Sequence, residues 1–358
     1  MTTLRAGVIG LGVGKNHAEG YLQSPNAELV ALCDSDKTRL NEFAQKYNLP
    51  ADVCYSDYQT MLAKAKLDIV SVCLPNALHA PASIAALEAG AHVLCEKPLA
   101  TSTAEAQAMV DAASRSGKRL TVCYNYRYRA DSQWIYNMVH SGALGKILHV
   151  SASWRRETGI PGWGLFGDKA MSGGGAMIDL GVHVLDLALW MLDFPTVETV
   201  SGTTRAAFGP NKRKMWARPG FEPSKFEVED GAVGFLRLAN DTSMFLQATW
   251  GEHGQPNEDR MRVELQGTLG TAVLDIANYR RDDTLRFYSE NEGEPVVVTP
   301  VVRWNAPAYH HIGLVMDTVE KLANGEAPTT DGTQGLQAVQ VLDALYHSAE
   351  IHKEIFLK

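Results

Sequence analysis

The stretch LRAGVIGLGVGK, residues 4–15, decides the fold of the N-terminal part of the chain. Its first half is an apolar strand, its second half is rich in glycine, and a helix is predicted to run from Lys15. A second apolar strand, 27–33, ends at Asp34, about 20 residues after the glycines. A strand, a glycine turn, a helix and an acid after the next strand are typical of a dinucleotide-binding unit.

Strands and helices continue to alternate beyond this unit. Further strands are predicted near Val53 and at 67–74, 91–95 and 120–123, with helices between them. Strands that are apolar along their whole length are buried on both faces, which indicates a parallel sheet covered by helices. The sequence therefore predicts an α/β fold, with a doubly wound Rossmann domain over residues 1–123.

The glycine turn is predicted to bind NAD. Glycines let the backbone approach a pyrophosphate at the start of a helix, and Asp34 can accept hydrogen bonds from a ribose diol. The alternative is a tight turn that binds no nucleotide. The acid favours NAD over NADP, although Lys37 and Arg39 keep NADP possible. The predicted residues of the turn are Gly10, Gly12, Val13 and Gly14.

The strand 91–95 ends in Glu96, Lys97 and Pro98. Ligands bind beyond the carboxyl ends of the strands in open α/β sheets, so Lys97 is a candidate for chemistry. Pro98 restricts the backbone of Lys97 and would fix where the ammonium points. A surface lysine at an ordinary turn is the alternative.

Residues 74–79, which follow another predicted strand, lie at the same edge. Asn76 could contact the nicotinamide end of the cofactor or cap the helix that begins near His79, and the two roles are compatible.

The pattern changes after residue 123. Eight strand-like runs between 147 and 302, several joined by hairpin signals, predict a mainly antiparallel sheet in an α+β domain over 124–334. A long amphipathic helix, within 335–358, could pack back on the first domain.

A second group of polar residues lies on a helix that follows three glycines, 173–175. Asp179, His183, Asp186 and Trp190 are spaced so that they share one helical face. An aspartate one turn before a histidine can raise its basicity and orient it, which is typical of a general base. A core histidine and a metal ligand are the alternatives, and no second His or Cys group has spacing that favours a metal.

Composition narrows the class of protein. The 358 residues carry a net charge of −8 and no long basic run, which argues against a nucleic-acid partner. The five cysteines are scattered without a CxxC pair, as expected of reduced thiols in the cytoplasm. No apolar run approaches the roughly 18 residues of a membrane span.

Together, the glycine turn, Glu96-Lys97-Pro98 and the helix with Asp179 and His183 resemble the Gfo/Idh/MocA oxidoreductases over nearly the whole chain. The resemblance implies a Rossmann domain and a second domain whose open sheet mediates a homodimer or homotetramer. It implies that Lys97 is the catalytic lysine, with Asp179 and His183 as the acid and the proton-transferring histidine. Lys15 departs from the family, since many members have a third glycine there.

The implied reaction transfers hydride between NAD and a secondary alcohol of an uncharged sugar or cyclitol, of the inositol or glucoside type. Rival functions are a glycoside-cleaving or sugar-nucleotide-modifying enzyme that uses NAD, and a nucleotide sensor without catalysis. Further expected cofactor-binding residues are Leu74, Pro75, Asn76, His79, Glu96, Lys97 and Asn125. The expected substrate-binding residues are Arg127, Arg155, Trp163, Asp179, His183 and Tyr309, with Trp304 and His310 as further candidates.

Overall fold

The computed structural model describes residues 3–210, 217–304 and 310–357. It divides into two compact units, the first comprising 1–128 with 305–339 and the second 129–304 with 340–358. The predicted limits at 123 and 334 differ from this division, because residues 305–334 group with the first unit rather than the second.

The first unit contains a six-stranded parallel sheet of order β3-β2-β1-β4-β5-β6. This confirms the predicted doubly wound fold. Helices connect the strands, and capping residues mark their ends. Asp36 caps the helix Lys37–Lys46 by accepting hydrogen bonds from the amides of Thr38 and Arg39. Gly117 ends the helix Thr103–Ser116 in a left-handed conformation. The elements are β1 (Leu4–Ile9), α1 (Gly14–Gln23), β2 (Ala27–Cys33), α2 (Lys37–Lys46), β3 (Cys54–Tyr55), α3 (Tyr58–Lys64), β4 (Ile69–Val72), α4 (His79–Glu88), β5 (His92–Cys95), α5 (Thr103–Ser116) and β6 (Leu120–Val122).

The second unit contains a nine-stranded sheet of order β14-β13-β12-β11-β7-β10-β9-β8-β15. Its pairs are antiparallel except for β7 with β10, so the predicted mainly antiparallel sheet is confirmed. The elements are α6 (Ala130–His140), β7 (Ile147–Arg156), α7 (Lys169–Ser172), α8 (Val182–Met191), β8 (Val197–Arg205), β9 (Gly231–Leu238), β10 (Ser243–Thr249), β11 (Asp259–Gly267), β12 (Thr271–Ala277), β13 (Leu285–Asn291), β14 (Glu294–Val298) and β15 (Ile355–Phe356).

Two more helices follow the second unit's main sheet in the sequence. Helix α9 (His310–Ala323) belongs to the first unit, where Leu314, Val315 and Val319 join the core formed with β1 and α1. Helix α10 (Gly332–Ile351) corresponds to the long helix predicted within 335–358, and the chain then forms the short edge strand β15.

The helical segment Lys169–Met191 is long and apolar enough to cross a membrane by length and composition. Within its most apolar window, 89% of the residues are buried inside the protein. This is the burial of a core helix, and α8 indeed packs its apolar side chains against the nine-stranded sheet.

Candidate functional site

The glycine turn connects β1 to α1 as predicted. Gly10 has φ +85°, and a Cβ at this position would collide with the carbonyl oxygen of Cys73. A Cβ on Gly14 would lie 2.8 Å from Val8, so Gly14 supplies the close helix–strand packing expected of the fingerprint's third glycine. Because Gly14 makes this contact, the close packing of the helix on the strand does not require a glycine at position 15.

The space around Gly12 fits a bound dinucleotide. A Cβ on Gly12 would have no heavy atom within 4 Å among the described residues, which leaves room for a phosphate beside the start of α1. Asp34 lies beneath the turn, where its carboxylate accepts the amide of Leu11 at 2.8 Å. Arg39 contacts the same carboxylate at 3.2 Å. The donors and acceptors thus suit an NAD molecule, with Asp34 available to its ribose and Arg39 beside it.

Glu96 is the centre of a buried hydrogen-bonded network in the first unit. Its carboxylate oxygen Oε1 lies 3.0 Å from Nε2 of His17 and 3.3 Å from Nε2 of His311, and Oε2 accepts the amide of Lys97 at 3.1 Å. The other ring nitrogen of His17 contacts the Ser71 hydroxyl at 2.9 Å. The network places Lys97 at the carboxyl end of β5, as predicted.

The charges of this network follow from burial and hydrogen bonding. Burial opposes ionisation of Glu96, but the hydrogen bonds from His17 and His311 outweigh it and hold the pKa of Glu96 well below its usual range. Burial lowers the pKa of His17, which is therefore neutral near pH 7. The network consequently joins the ionised carboxylate of Glu96 to a neutral His17.

Cys123 also lies close to this network. Its sulfur and the nearest atoms of His17 and Glu96 lie within 4.8 Å of one another, a spacing that a metal ion could use. Burial raises the pKa of the Cys123 thiol well above its usual range, and both oxygens of Glu96 already accept hydrogen bonds. The protonated thiol and the occupied carboxylate oxygens favour a hydrogen-bonded cluster over a metal site at these three residues.

His79 is a structural residue of the same sheet edge. Its ring nitrogens lie 2.7 Å from the carbonyl oxygen of Pro98 and 2.8 Å from that of Leu74. The ring thus ties together the loops that follow β4 and β5, and burial lowers its pKa. Helix α4 begins at His79 without a side-chain cap, so Asn76 does not cap it. Pro75 and Asn76 are half-buried in the loop before it.

Arg127 and Asn125 follow β6 and are both buried. Arg127 donates to Oε1 of Gln334 at 2.7 Å and lies over the ring of Tyr124, so its described contacts bind the first unit together. Asn125 contacts His310 and His311 through its amide nitrogen, at 3.5 and 3.4 Å. Asn125 thus follows the strand at the carboxyl edge of the sheet, and the described contacts of Arg127 lie within the first unit.

The second unit holds Asp179 and His183 on one continuous helical segment. Asp179 lies in a π-helical turn, Met177–Gly181, and His183 lies in the first turn of α8. Nε1 of Trp250 donates to Asp179 at 3.0 Å, and the Trp154 ring lies 5.5 Å from the His183 ring. The sequence predicted a regular α-helix here, and π-helical turns frequently occur at functional sites.

Glu229 anchors the start of this helical segment. Its carboxylate accepts the amides of Gly175 and Met177, at 2.8 and 2.9 Å, and the hydroxyl of Tyr346 at 2.8 Å. A Cβ on Gly175 would collide with the backbone oxygen of Glu229. A backbone segment therefore approaches the triple glycine closely. Burial raises the pKa of Glu229.

Arg155 and Arg156 lie on opposite faces of β7. Arg156 shares the face of Trp154 and donates to Asp259 at 2.8 Å and to the Tyr279 hydroxyl at 2.8 Å. Arg155 points to the other face, where it pairs with Glu252. Because side chains alternate along a strand, the structure brings Arg156 rather than the predicted Arg155 to the His183 side.

The other predicted residues have mixed surroundings. Trp163 is 57% exposed and contacts Phe166, which in turn contacts Trp250. Trp190 stacks on Tyr136 at 4.4 Å, away from Asp179. Trp304 donates to the carbonyl oxygen of Arg281. Tyr309 lies outside the described residues.

Sequence reasoning did not single out several residues of these clusters. They are His17, His311, Glu229, Trp250, Asp259, Tyr279 and Tyr346. Each is distant in the sequence from the residue that it contacts, so no local pattern indicated it. Arg156 is different, because the alternation of side chains along β7 places it on the face of Trp154.

Two family models match the chain. Residues 4–124 match the model of the oxidoreductase family with an NAD-binding Rossmann fold. Residues 132–273 match the model of the GFO/IDH/MocA C-terminal domain.

Curated relatives cover most of the chain. D-glucoside 3-dehydrogenase of Escherichia coli (strain K12) is 33% identical over 349 residues, 97% of this chain and 95% of that protein. A putative UDP-kanosamine synthase oxidoreductase subunit of Amycolatopsis mediterranei (strain S699) is 32% identical over 82% of this chain and 79% of that protein.

A solved structure shows the same fold. Levoglucosan dehydrogenase in complex with NADH and L-sorbose superposes with a TM-score of 0.86 at 24% identity, covering all of both chains. The two family models and the similarity to D-glucoside 3-dehydrogenase show that this chain belongs to the Gfo/Idh/MocA family of NAD-dependent oxidoreductases.

Proposed function

We propose that the chain oxidises a secondary hydroxyl group of a glucoside-like sugar, with an inositol-like cyclitol as the nearest alternative substrate. The observation that carries the proposal is the cluster around His183. An indole face, an arginine, two carboxylates and a phenol lie together on one unit. Aromatic faces and paired polar groups of this kind suit an uncharged, polyhydroxylated ring.

The charges of the cluster favour a neutral substrate. Arg156 is held by Asp259, with the distance from Nε to the carboxylate at 2.8 Å, and the positive charge is thereby balanced. A sugar phosphate or a sugar acid would bring an extra negative charge toward Asp179 and Asp259, and would be repelled. The similarity to D-glucoside 3-dehydrogenase supports a glucoside and its 3-hydroxyl group.

We assign three residues to the chemistry. His183 accepts the proton of the substrate hydroxyl, and the negative charge of Asp179, which accepts a hydrogen bond from Trp250, stabilises the resulting imidazolium. Lys97 is assigned as the hydrogen-bond donor that stabilises negative charge as it develops on the oxidised hydroxyl oxygen. NAD supplies the hydride acceptor when it is bound. Glu96 fixes the backbone of Lys97 by accepting its amide.

Product analysis tests the proposed reaction. The protein would be incubated with NAD and a nitrophenyl glucoside, and the mixture examined for NADH, a keto-glucoside and free nitrophenol. Equal amounts of NADH and keto-glucoside without nitrophenol are expected. Nitrophenol released without net NADH would instead identify a glycoside-cleaving enzyme.

A cytoplasmic homo-oligomer is part of the same proposal. Five scattered thiols suit a reducing compartment. The face of the nine-stranded sheet opposite α8 carries Phe235 and Phe245 as directly opposed neighbours on β9 and β10. Phe235 is 38% exposed in the single chain, and a face of this kind is suited to a second copy.

A further inference from the structure

We propose that Glu96 and His311 orient the side-chain amide of Asn125, so that its oxygen accepts a hydrogen bond from the carboxamide N–H of a bound nicotinamide. The inference concerns cofactor recognition by the first unit. It requires NAD binding, which the family membership establishes, and does not depend on which sugar is oxidised.

The first step is the direction of the hydrogen bonds at Glu96. An ionised carboxylate can only accept, so each nitrogen that faces it must carry a proton. Nε2 of His17 and Nε2 of His311 both face Oε1, at 3.0 and 3.3 Å. Both rings are therefore protonated at Nε2.

The second step is that the side-chain amide of Asn125 faces the other ring nitrogen of His311, Nδ1. The side-chain nitrogen of Asn125 lies 3.4 Å from this Nδ1 and 3.5 Å from Nδ1 of His310. An amide nitrogen only donates, so the structure directs the hydrogen bond from Asn125 to His311.

The third step concerns the oxygen of the same amide. With the nitrogen directed at the histidines, Oδ1 of Asn125 points elsewhere, is buried, and has no hydrogen-bond partner among residues 3–210, 217–304 and 310–357. A buried acceptor without a donor is costly, and such groups commonly await a ligand.

The place of Asn125 in the fold identifies the ligand. Asn125 follows β6, at the carboxyl edge of the parallel sheet that also carries the glycine turn and Lys97. Cofactors bind beyond this edge in open α/β sheets. The nicotinamide carboxamide offers an N–H donor, which complements the unmatched oxygen.

The test compares two cofactors by calorimetry in the absence of any sugar. One is NAD, and the other is 3-acetylpyridine adenine dinucleotide, in which an acetyl group keeps the carbonyl and removes the N–H donor. The wild-type protein is expected to bind NAD about tenfold more tightly, as for a site that loses one partner of a buried hydrogen bond.

Variants then distinguish the role of Asn125 as hydrogen-bond acceptor from the role of His311 in positioning it. Asn125→Ala should bring the affinity ratio below about twofold by weakening NAD binding alone. His311→Ala should do the same, because the Asn125 amide can then rotate. His311→Gln should also lower the ratio, although it keeps a donor for Glu96. His352→Gln, on an exposed residue beyond α10, is the control and should retain the wild-type ratio.

Two results would overturn the inference. Equal affinity of the wild-type protein for the two cofactors would exclude a protein acceptor for the carboxamide, whether or not the variants fold. An unchanged ratio in folded Asn125→Ala or His311→Ala would place the acceptor on another residue. Because no substrate is present, neither result bears on the proposed sugar oxidation.

Discussion

At the scale of single residues, Arg155 and Arg156 show how alternation along a strand separates neighbours in the sequence. Arg156 lies beside Trp154 with Asp259 and Tyr279, whereas Arg155 pairs with Glu252 on the other face. We propose that Arg156 is the substrate-contacting residue of the pair.

Arg156→Gln is expected to raise KM for the sugar by about tenfold, because it removes a charged hydrogen-bond donor. Arg155→Gln should change KM by less than about twofold, since its side chain faces away from His183. Steady-state kinetics with saturating NAD would measure both. A larger effect from Arg155 than from Arg156 would contradict the assigned faces.

The pKa shifts at His17 and Glu96 predict that the first unit loses stability in acid. Burial lowers the pKa of His17, so below about pH 6.5 the unfolded chain takes up a proton that the folded chain does not. The lowered pKa of Glu96 acts in the same direction below about pH 4.5, where the unfolded carboxylate becomes protonated first. The free energy of unfolding should therefore fall as the pH falls through these windows.

His17→Asn tests this account by removing the first of the two groups. Thermal unfolding would be followed between about pH 7.5 and pH 5, where the wild-type Tm is expected to fall by a few degrees more than the variant's. The variant will be less stable at neutral pH, so the comparison concerns only the slope of Tm against pH. An identical slope in the two proteins would show that His17 does not titrate as described.

The glycine turn, Lys97 and the Asp179–His183 helix could be found from the sequence because each is a local motif. The network around Glu96 could not, because Glu96, just after β5, meets His17 of α1 and His311 of α9, each 79 or more positions away. Glu229 and Trp250 escaped notice for the same reason, since their contacts form only when the sheet assembles.

At the scale of elements, the helical segment that carries Asp179 and His183 depends on what holds its first turn. The Glu229 carboxylate accepts hydrogen bonds from two backbone amides there. Because Gly175 has no side chain, the backbone of Glu229 can approach it closely. This arrangement places the start of the segment against the chain just before β9, and Tyr346 of α10 donates to the Glu229 carboxylate. We infer that it fixes the positions of Asp179 and His183.

Gly175→Ala should lower kcat by about 100-fold, because the added methyl group would displace the helix by a fraction of an ångström or more. Gly254→Ala is the matched control, since its Cβ would meet only the Glu252 side chain, at 3.7 Å. Circular dichroism would confirm that both variants are folded. Full activity in Gly175→Ala would show that the helix start tolerates movement.

Periodicity predicted most elements of both sheets, since apolar runs and hairpin signals mark strands well. It could not foresee the π-helical turn Met177–Gly181, because one inserted residue leaves the apolar pattern almost unchanged. It also missed β15, a two-residue strand that forms only by pairing with β8. Residues 305–334 were grouped with the second domain because sequence order does not reveal that α9 packs on α1.

At the scale of the whole molecule, the predicted oligomer would use the half-exposed face of the nine-stranded sheet. Phe235→Glu would place a charge in the centre of that face, so it is expected to shift a wild-type dimer or tetramer toward monomer. Leu269→Glu, in the turn between β11 and β12, is the control because Leu269 is 62% exposed outside the face. Light scattering would measure the mass of each protein. A monomeric wild-type protein would refute the proposed assembly.

We propose that the NAD-dependent oxidation of a sugar hydroxyl group requires both Lys97 and His183. The most direct test is the initial rate of NADH formation with a saturating methyl glucoside or inositol, in wild type, Lys97→Ala and His183→Ala. NAD affinity would be measured in the same samples. We predict that each variant loses at least about 100-fold in kcat while still binding NAD. Wild-type rates in either variant would contradict the proposed chemistry.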